Sequence, residues 1–181
     1  MRIISGKYKG RVLKGYTLKG TRPTMDRVKE SLFATINEYV NNSVCLDLFA
    51  GSGALGLEAL SMGAREVIFV DKEFIACKTI KSNLEMLDVN TNTTVLNMDY
   101  LKALERLYPK KFDLIFLDPP YKTDYLKKAL EKIEELKLIT DTSLVILESD
   151  DINKLTFSDY YIEVKTKKYG DKYIRILKKK D

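Results

Sequence analysis

The stretch Val44 to Leu60, reading VCLDLFAGSGALGLEAL, constrains this chain more than any other, because it passes from a strand pattern to a helix pattern through closely spaced glycines. Val44, Cys45, Leu46, Leu48 and Phe49 form an apolar run that only Asp47 interrupts, as expected of a central strand in a parallel sheet covered on both faces. Gly51, Ser52 and Gly53 end the run, and from Ala54 the residues Leu55, Leu57, Ala59 and Leu60 open a helix. The first amides of such a helix point back toward the strand end and favour a polar or anionic ligand. Glycine admits positive φ and lets a ligand touch the main chain where a β-carbon would collide. Gly51, Gly53 and Gly56 also spell G-x-G-x-x-G, a spacing that suits more than one class of nucleotide cofactor. Asp71 ends the apolar run Val67 to Val70 twenty positions after Gly51, where it could hold ribose hydroxyls.

At 181 residues the chain has room for one well-cored domain and a small appendage. No apolar run approaches the length of a membrane-spanning helix, and Met-Arg-Ile-Ile-Ser-Gly-Lys lacks the apolar core of a signal peptide, so a cytoplasmic protein without a membrane partner is expected. Cys45 and Cys77 have no metal-motif spacing and read as core thiols; no metal is expected. There is no histidine, which removes the usual general base near neutral pH. Residues 1–40 hold nine Lys or Arg against three acids and residues 165–181 eight against two, a net +6 at each end that leaves 41–164 at −7 within a total of +5. Basic ends on an acidic middle point to a polyanion gripped by the termini; the plainer reading is that the lysines aid solubility.

Along the chain, Arg2 to Ile4 and Arg11 to Leu13 read as short strands flanking Gly6-Lys7-Tyr8-Lys9-Gly10, a small basic hairpin. Thr21-Arg22-Pro23-Thr24 can start a helix whose apolar face is Met25, Val28, Leu32, Phe33 and Ile36, and Asn41-Asn42-Ser43 breaks it. Beyond the glycine loop, strands and helices alternate: Val67 to Val70, helix Glu73 to Leu87, Thr93 to Asn97, helix Tyr100 to Leu107, Phe112 to Leu117, helix Asp124 to Leu136, and Leu144 to Glu148. Such alternation signals a parallel sheet with right-handed crossovers. Tyr160 to Thr166 and Tyr173 to Lys178, joined through Tyr169-Gly170-Asp171, predict a terminal antiparallel hairpin.

Phe112 to Leu117 runs straight into Asp118-Pro119-Pro120-Tyr121. Ligands of a doubly wound sheet bind at the carboxyl ends of strands near the switch in strand order, which would bring Asp118 and Gly51 to neighbouring tips. Methyl transfer to an exocyclic amino group requires the nitrogen lone pair, delocalised into the base ring, to be turned toward an electrophilic carbon. Two acceptors on the NH₂ achieve this, the Asp118 carboxylate and the Pro119 carbonyl, the latter held by two consecutive prolines in an extended backbone. Tyr121 offers a flat face for an extruded base. The nitrogen becomes more acidic as the new bond forms, so Asp118 can take the proton late and imidazole is dispensable. Without the glycine loop, Asp-Pro-Pro-Tyr is merely a rigid strand-ending turn.

On these motifs the chain resembles the bacterial 16S ribosomal RNA guanine-N2 methyltransferases, of the S-adenosylmethionine-dependent Rossmann-like class. The family-specific parts are Gly6-Lys7-Tyr8-Lys9-Gly10-Arg11, the run Thr21 to Phe33 (TRPTMDRVKESLF) and Leu46 to Gly53 (LDLFAGSG), with Asp118-Pro119-Pro120-Tyr121 and Tyr169-Gly170-Asp171 completing the set. The resemblance implies an α/β, class I methyltransferase fold with a mostly parallel seven-stranded sheet, divided into a substrate-side appendage over 1–40 and a cofactor domain over 41–181. It implies that Asp47, Gly51 and Gly53 line the methionine end of S-adenosylmethionine, that Asp71 binds the ribose, that Asp99 meets the adenine amino group and that Thr24 closes over the cofactor. Asp118, Pro119 and Tyr121 would carry the chemistry. Arg11, Arg22, Pro120 and Tyr121 would face the substrate, with Lys7 and Lys9 on phosphates. From spacing alone Asp99 is as readily a helix cap. The implied substrate is a guanine of small-subunit ribosomal RNA, presented on an assembling subunit to a monomeric enzyme. Competing readings are an adenine-N6 methyltransferase, a glutamine methyltransferase (disfavoured by Asp rather than Asn before the prolines), a nicotinamide-dependent oxidoreductase and a non-catalytic RNA-binding module.

Overall fold

The sheet grows outward from β1 (Val44–Asp47), whose four residues are all buried. The computed structural model describes residues 1–15, 23–89 and 92–181. β1 lies parallel between β2 (Glu66–Asp71) and β4 (Phe112–Leu117). β3 (Thr93–Asn97) extends the sheet beyond β2, and β5 (Ile139–Ser149) beyond β4. β7 (Lys172–Lys179) pairs antiparallel with β5, and β6 (Tyr161–Tyr169) forms the outer edge. The order β3-β2-β1-β4-β5-β7-β6 therefore reverses between β1 and β4, so the crevice at the switch opens beside the glycine loop.

Both faces are covered. Helices α1 (Pro23–Thr35), α2 (Asn37–Val40), α3 (Ala54–Ser61) and α4 (Phe74–Met86) lie on one side, α5 (Tyr100–Leu107) and α6 (Tyr125–Leu136) on the other. The alternation along β4 shows the split: Leu114 and Phe116 join the core beneath α1, α3 and α4, whereas Ile115 and Leu117 join the core beneath α5 and α6. Each such fully buried side chain contributes about 1.5–3 kcal/mol of transfer free energy. Ile3, Leu13, Val28, Leu32, Phe33 and Ile36 pack in the same core as Cys45 and Phe116, so residues 1–40 and the sheet share one apolar interior. Phe33 and Phe116 meet with ring centroids 5.7 Å apart. Cys45 and Cys77 are free and buried.

The amino-terminal hairpin forms, but with a single bridge, Arg2 to Val12, instead of two strands. The reason is that the amides of residues 4, 5, 7 and 8 are claimed elsewhere. Ile4 and Ser5 donate to the Glu58 carboxylate, while Lys7 and Tyr8 donate to the carbonyl and hydroxyl of Ser61. β5 begins five residues before the expected Leu144. The polar segment Thr140 to Ser143 carries no apolar period, and it is held to β4 by the Ser143 hydroxyl donating to the Phe112 carbonyl at 2.6 Å.

Candidate active site

The glycine loop leaves β1 pinned to both neighbouring strands: Leu48 N–H donates to the Phe116 carbonyl at 3.2 Å and Ala50 N–H to the Val70 carbonyl at 2.9 Å. Gly51 and Gly53 take φ of 58° and 86°, and the left-handed Gly53 turns the chain into α3. Gly56 has a different task, since a β-carbon there would lie 2.3 Å from Phe69 Cε1; its bareness lets α3 close onto β2.

Acid groups ring this loop. Asp71 at the end of β2 accepts Gly51 N–H on Oδ2 at 2.9 Å and Glu73 N–H on Oδ1 at 2.9 Å, leaving each oxygen one further acceptor site. Asp47 accepts Gly56 N–H at 3.0 Å and is 2% exposed, so it is the floor of the loop. Burial pushes its carboxyl up to about 7 against the opposing pull of the Gly56 amide, and the Asp71 charge adds to the rise. Asp99 caps α5, its Oδ1 accepting Leu101 N–H at 2.9 Å and Lys102 N–H at 3.2 Å. Both cap bonds fall on one oxygen, so the capping role and an outward role for the other are compatible.

The Asp-Pro-Pro-Tyr segment leaves β4 one strand over. Asp47 pairs with Phe116 and Leu117 with Leu147, which sets Asp118 beside the glycine loop on one side and level with Glu148 on the other. Asp118 is held well above the usual carboxylate range by desolvation and then by the Glu148 charge; Lys172 opposes the rise and Asp47 adds to it. Pro119 is buried, Pro120 exposed and Tyr121 half exposed, with the turn closed by the Thr123 hydroxyl donating to the Pro120 carbonyl at 2.9 Å. Lys172 Nζ donates to Glu148 Oε1 at 2.8 Å and lies 5.7 Å from the centre of the Tyr121 ring. Burial works against the Lys172 charge, yet Glu148, Tyr121 and Asp118 together hold its pKa above the ordinary lysine value. Phe49, Tyr100 and Tyr125 form an aromatic cluster at the mouth of β1, with centroid separations of 4.8 to 6.1 Å.

The structure thus brings Asp47, Gly51, Gly53, Asp71, Asp118, Pro119 and Tyr121 to one end of the sheet, and it seats Lys7, Lys9 and Arg11 elsewhere. Their loop packs on Ser61 at the carboxyl end of α3, and Arg11 Nη2 donates to the Met86 carbonyl at the end of α4. Thr24 is the second residue of α1, and its side chain, like the whole of Arg22, lies outside the described residues.

The family model described as "Conserved hypothetical protein 95" matches residues 1–178. The ribosomal RNA small subunit methyltransferase D of Haemophilus influenzae is 35% identical over 174 residues, covering 94% of this chain and 89% of that protein. YlbH of Bacillus subtilis strain 168 is 45% identical over 152 residues, 83% of each chain. Among solved structures, yhhF from Escherichia coli superposes with a TM-score of 0.87 at 29% identity, covering 99% and 98% of the two chains. The chain belongs to the bacterial 16S ribosomal RNA methyltransferase family.

S-adenosylmethionine is the cofactor of this methyltransferase class, and the residues present fit it. Gly51 and Gly53 leave backbone on which a ligand would lie, and the Asp47 and Asp71 carboxyls beside them would suit a cation carrying a ribose. Nothing in the order of residues marks Glu148 and Lys172 as neighbours of Asp118. Glu148 lies next to the end of a strand and Lys172 begins one, each an ordinary position for a charged residue. Only the β5–β7 pairing, twenty-four residues apart, joins them beside Asp118.

Proposed function

We propose that this enzyme methylates the exocyclic N2 amino group of a guanine in 16S ribosomal RNA of the small subunit, with residues 41–181 holding the cofactor and 1–40 serving the substrate side. The observation that carries the reading is the pairing of β1 with β4, which puts the cofactor loop and Asp118 on adjacent strand tips. S-adenosylmethionine, when bound, supplies a methyl carbon made electrophilic by its sulfonium. Gly51 and Gly53 would let it lie on the main chain, Asp47 would balance its positive charge, Asp71 would take the ribose hydroxyls and Asp99 the adenine amino group. Thr24 would close the site from α1.

Asp118 and the Pro119 carbonyl would each accept one N–H of the amine, turning its lone pair out of conjugation with the ring. Once the amine has taken the methyl group, its surplus N–H proton would pass to the Asp118 carboxylate. Tyr121, half exposed beside Pro120, would stack on the extruded base. Lys7 and Lys9 would bind phosphates of RNA reaching the far end of α3, and Arg11 and Arg22 would serve the substrate side. The enzyme would act as a monomer.

The test is methylation of small subunits, and of naked 16S RNA in parallel, from cells lacking the enzyme, using methyl-labelled S-adenosylmethionine followed by digestion to nucleosides. N2-methylguanosine is expected, with the rate falling by about 10²–10⁴ in Asp118→Asn. Label on adenine overturns the base assignment, and no label on any nucleoside overturns the reaction.

A further inference from the structure

Lys172 and Glu148 form an ion pair with only 21% and 11% of their side chains exposed, at the mouth of the site and against the Tyr121 ring. Withdrawing two charges from water costs about as much as their attraction returns, so stability alone does not account for the pair. Its geometry leaves capacity unused. The bond employs Glu148 Oε1, leaving Oε2 as an acceptor, and an ammonium group has three N–H donors. Asp118 just past β4, Glu148 on β5 and Lys172 at the start of β7 thus stand on neighbouring strands as acceptor, acceptor and donor.

Guanine presents the complementary edge: the N2 amine donates, ring N1–H donates and O6 accepts. Adenine does not, because the neighbour of its amine is a bare N1 lone pair, which a carboxylate repels. Resting on the reading of Asp118 as the acceptor for the target amine, we propose that Glu148 and Lys172 select guanine, Glu148 Oε2 accepting N1–H and Lys172 Nζ donating to O6. The ion pair is then the means by which two flexible side chains are pre-aligned, each fixing the other before the base arrives. Tyr121 packs beside the ammonium, so the base that stacks on the ring arrives with its edge toward the pair.

The test compares guanosine 5′-monophosphate with 2-aminopurine riboside 5′-monophosphate as inhibitors of small-subunit methylation by the wild type, Glu148→Gln and Lys172→Met. The two nucleotides carry the same amine and differ only at N1 and C6. Guanosine monophosphate is expected to inhibit the wild type about tenfold or more better, the worth of one or two charged hydrogen bonds. The gap should narrow severalfold in each variant, by the charged contact that the variant removes, while S-adenosylmethionine affinity stays near wild type in the isosteric Glu148→Gln. A gap that persists in both variants, or is absent from the wild type, overturns the proposal while leaving the methyltransferase reading intact. Absence of methyl transfer to any nucleotide by the wild type overturns both.

Discussion

Asp47 sits where a carboxylate is least comfortable, under the glycine loop with one backbone amide as its hydrogen-bond partner and the Asp71 charge nearby. Burial raises its folded pKa to about 7 from the ordinary aspartate value of 3.8, so between those limits the native state holds a proton that the unfolded chain has released. The contribution to stability is therefore complete below about pH 4 and is lost as pH rises through 7, amounting to roughly 4 kcal/mol at most for a shift of this size. Asp118 is raised too and acts in the same direction. Asp47→Asn keeps the acceptor for Gly56 N–H and removes the charge. Calorimetry of the cofactor-free protein should show a smaller fall in melting temperature from pH 5 to pH 8 in Asp47→Asn than in the wild type. S-adenosylmethionine, measured by titration calorimetry, should bind the variant more weakly because a cation is what makes the ionised form of Asp47 favourable. A steeper pH dependence in the variant would contradict the assignment of Asp47 as a buried acid.

At the scale of elements, one carboxylate ties the amino-terminal hairpin to both α3 and α1, beside the Ser61 contacts to α3. Glu58, fully buried in α3, accepts Ile4 N–H and Ser5 N–H at 3.0 Å and lies 3.4 Å from Lys29 Nζ of α1, which also donates to the Arg2 carbonyl at 2.7 Å. Desolvation lowers the Lys29 pKa, and Glu58 is the chief influence opposing it. Glu58→Ala leaves an uncompensated buried ammonium and two unpaired amides, and should cost about 3–5 kcal/mol in urea denaturation. The hairpin should then become the first segment opened to proteases. A destabilisation below about 1 kcal/mol would show that the Ser61 hydrogen bonds and the packing of Ile3 and Leu13 hold the hairpin without Glu58. The apolar spacing marks α1 in the sequence, but nothing in ALGLEAL marks Glu58 as an anchor.

For the whole molecule, the two basic ends visible in the sequence occupy different places. β7 runs antiparallel to β5, so the turn at Gly170 returns the chain to the carboxyl end of the sheet, where Lys168 pairs with Tyr173 and Ser149 with the same residue. Lys167 and Lys168 are exposed there, close to the site, whereas Lys7 and Lys9 lie at the far end of α3. If RNA is gripped at the site, replacing Lys167 and Lys168 by Ala should lower the slope of log affinity against log salt by about 0.7 for each phosphate that is no longer neutralised, read by filter binding across a salt series. An unchanged slope would remove the hairpin tip from the RNA footprint. By itself the sequence determined the strand, glycine loop and helix around Gly51, the strand ending in Asp118-Pro119-Pro120-Tyr121, and the terminal hairpin, because each is written in contiguous residues through period, backbone conformation and turn chemistry. Tertiary structure alone decided that Lys172 meets Glu148 beside Asp118, that Glu58 anchors residues 4 and 5, and that the Lys7 loop rests away from the strand tips. Those partners are distant in the chain, and a charged residue carries no local mark of the group that a strand pairing or helix packing will set opposite it.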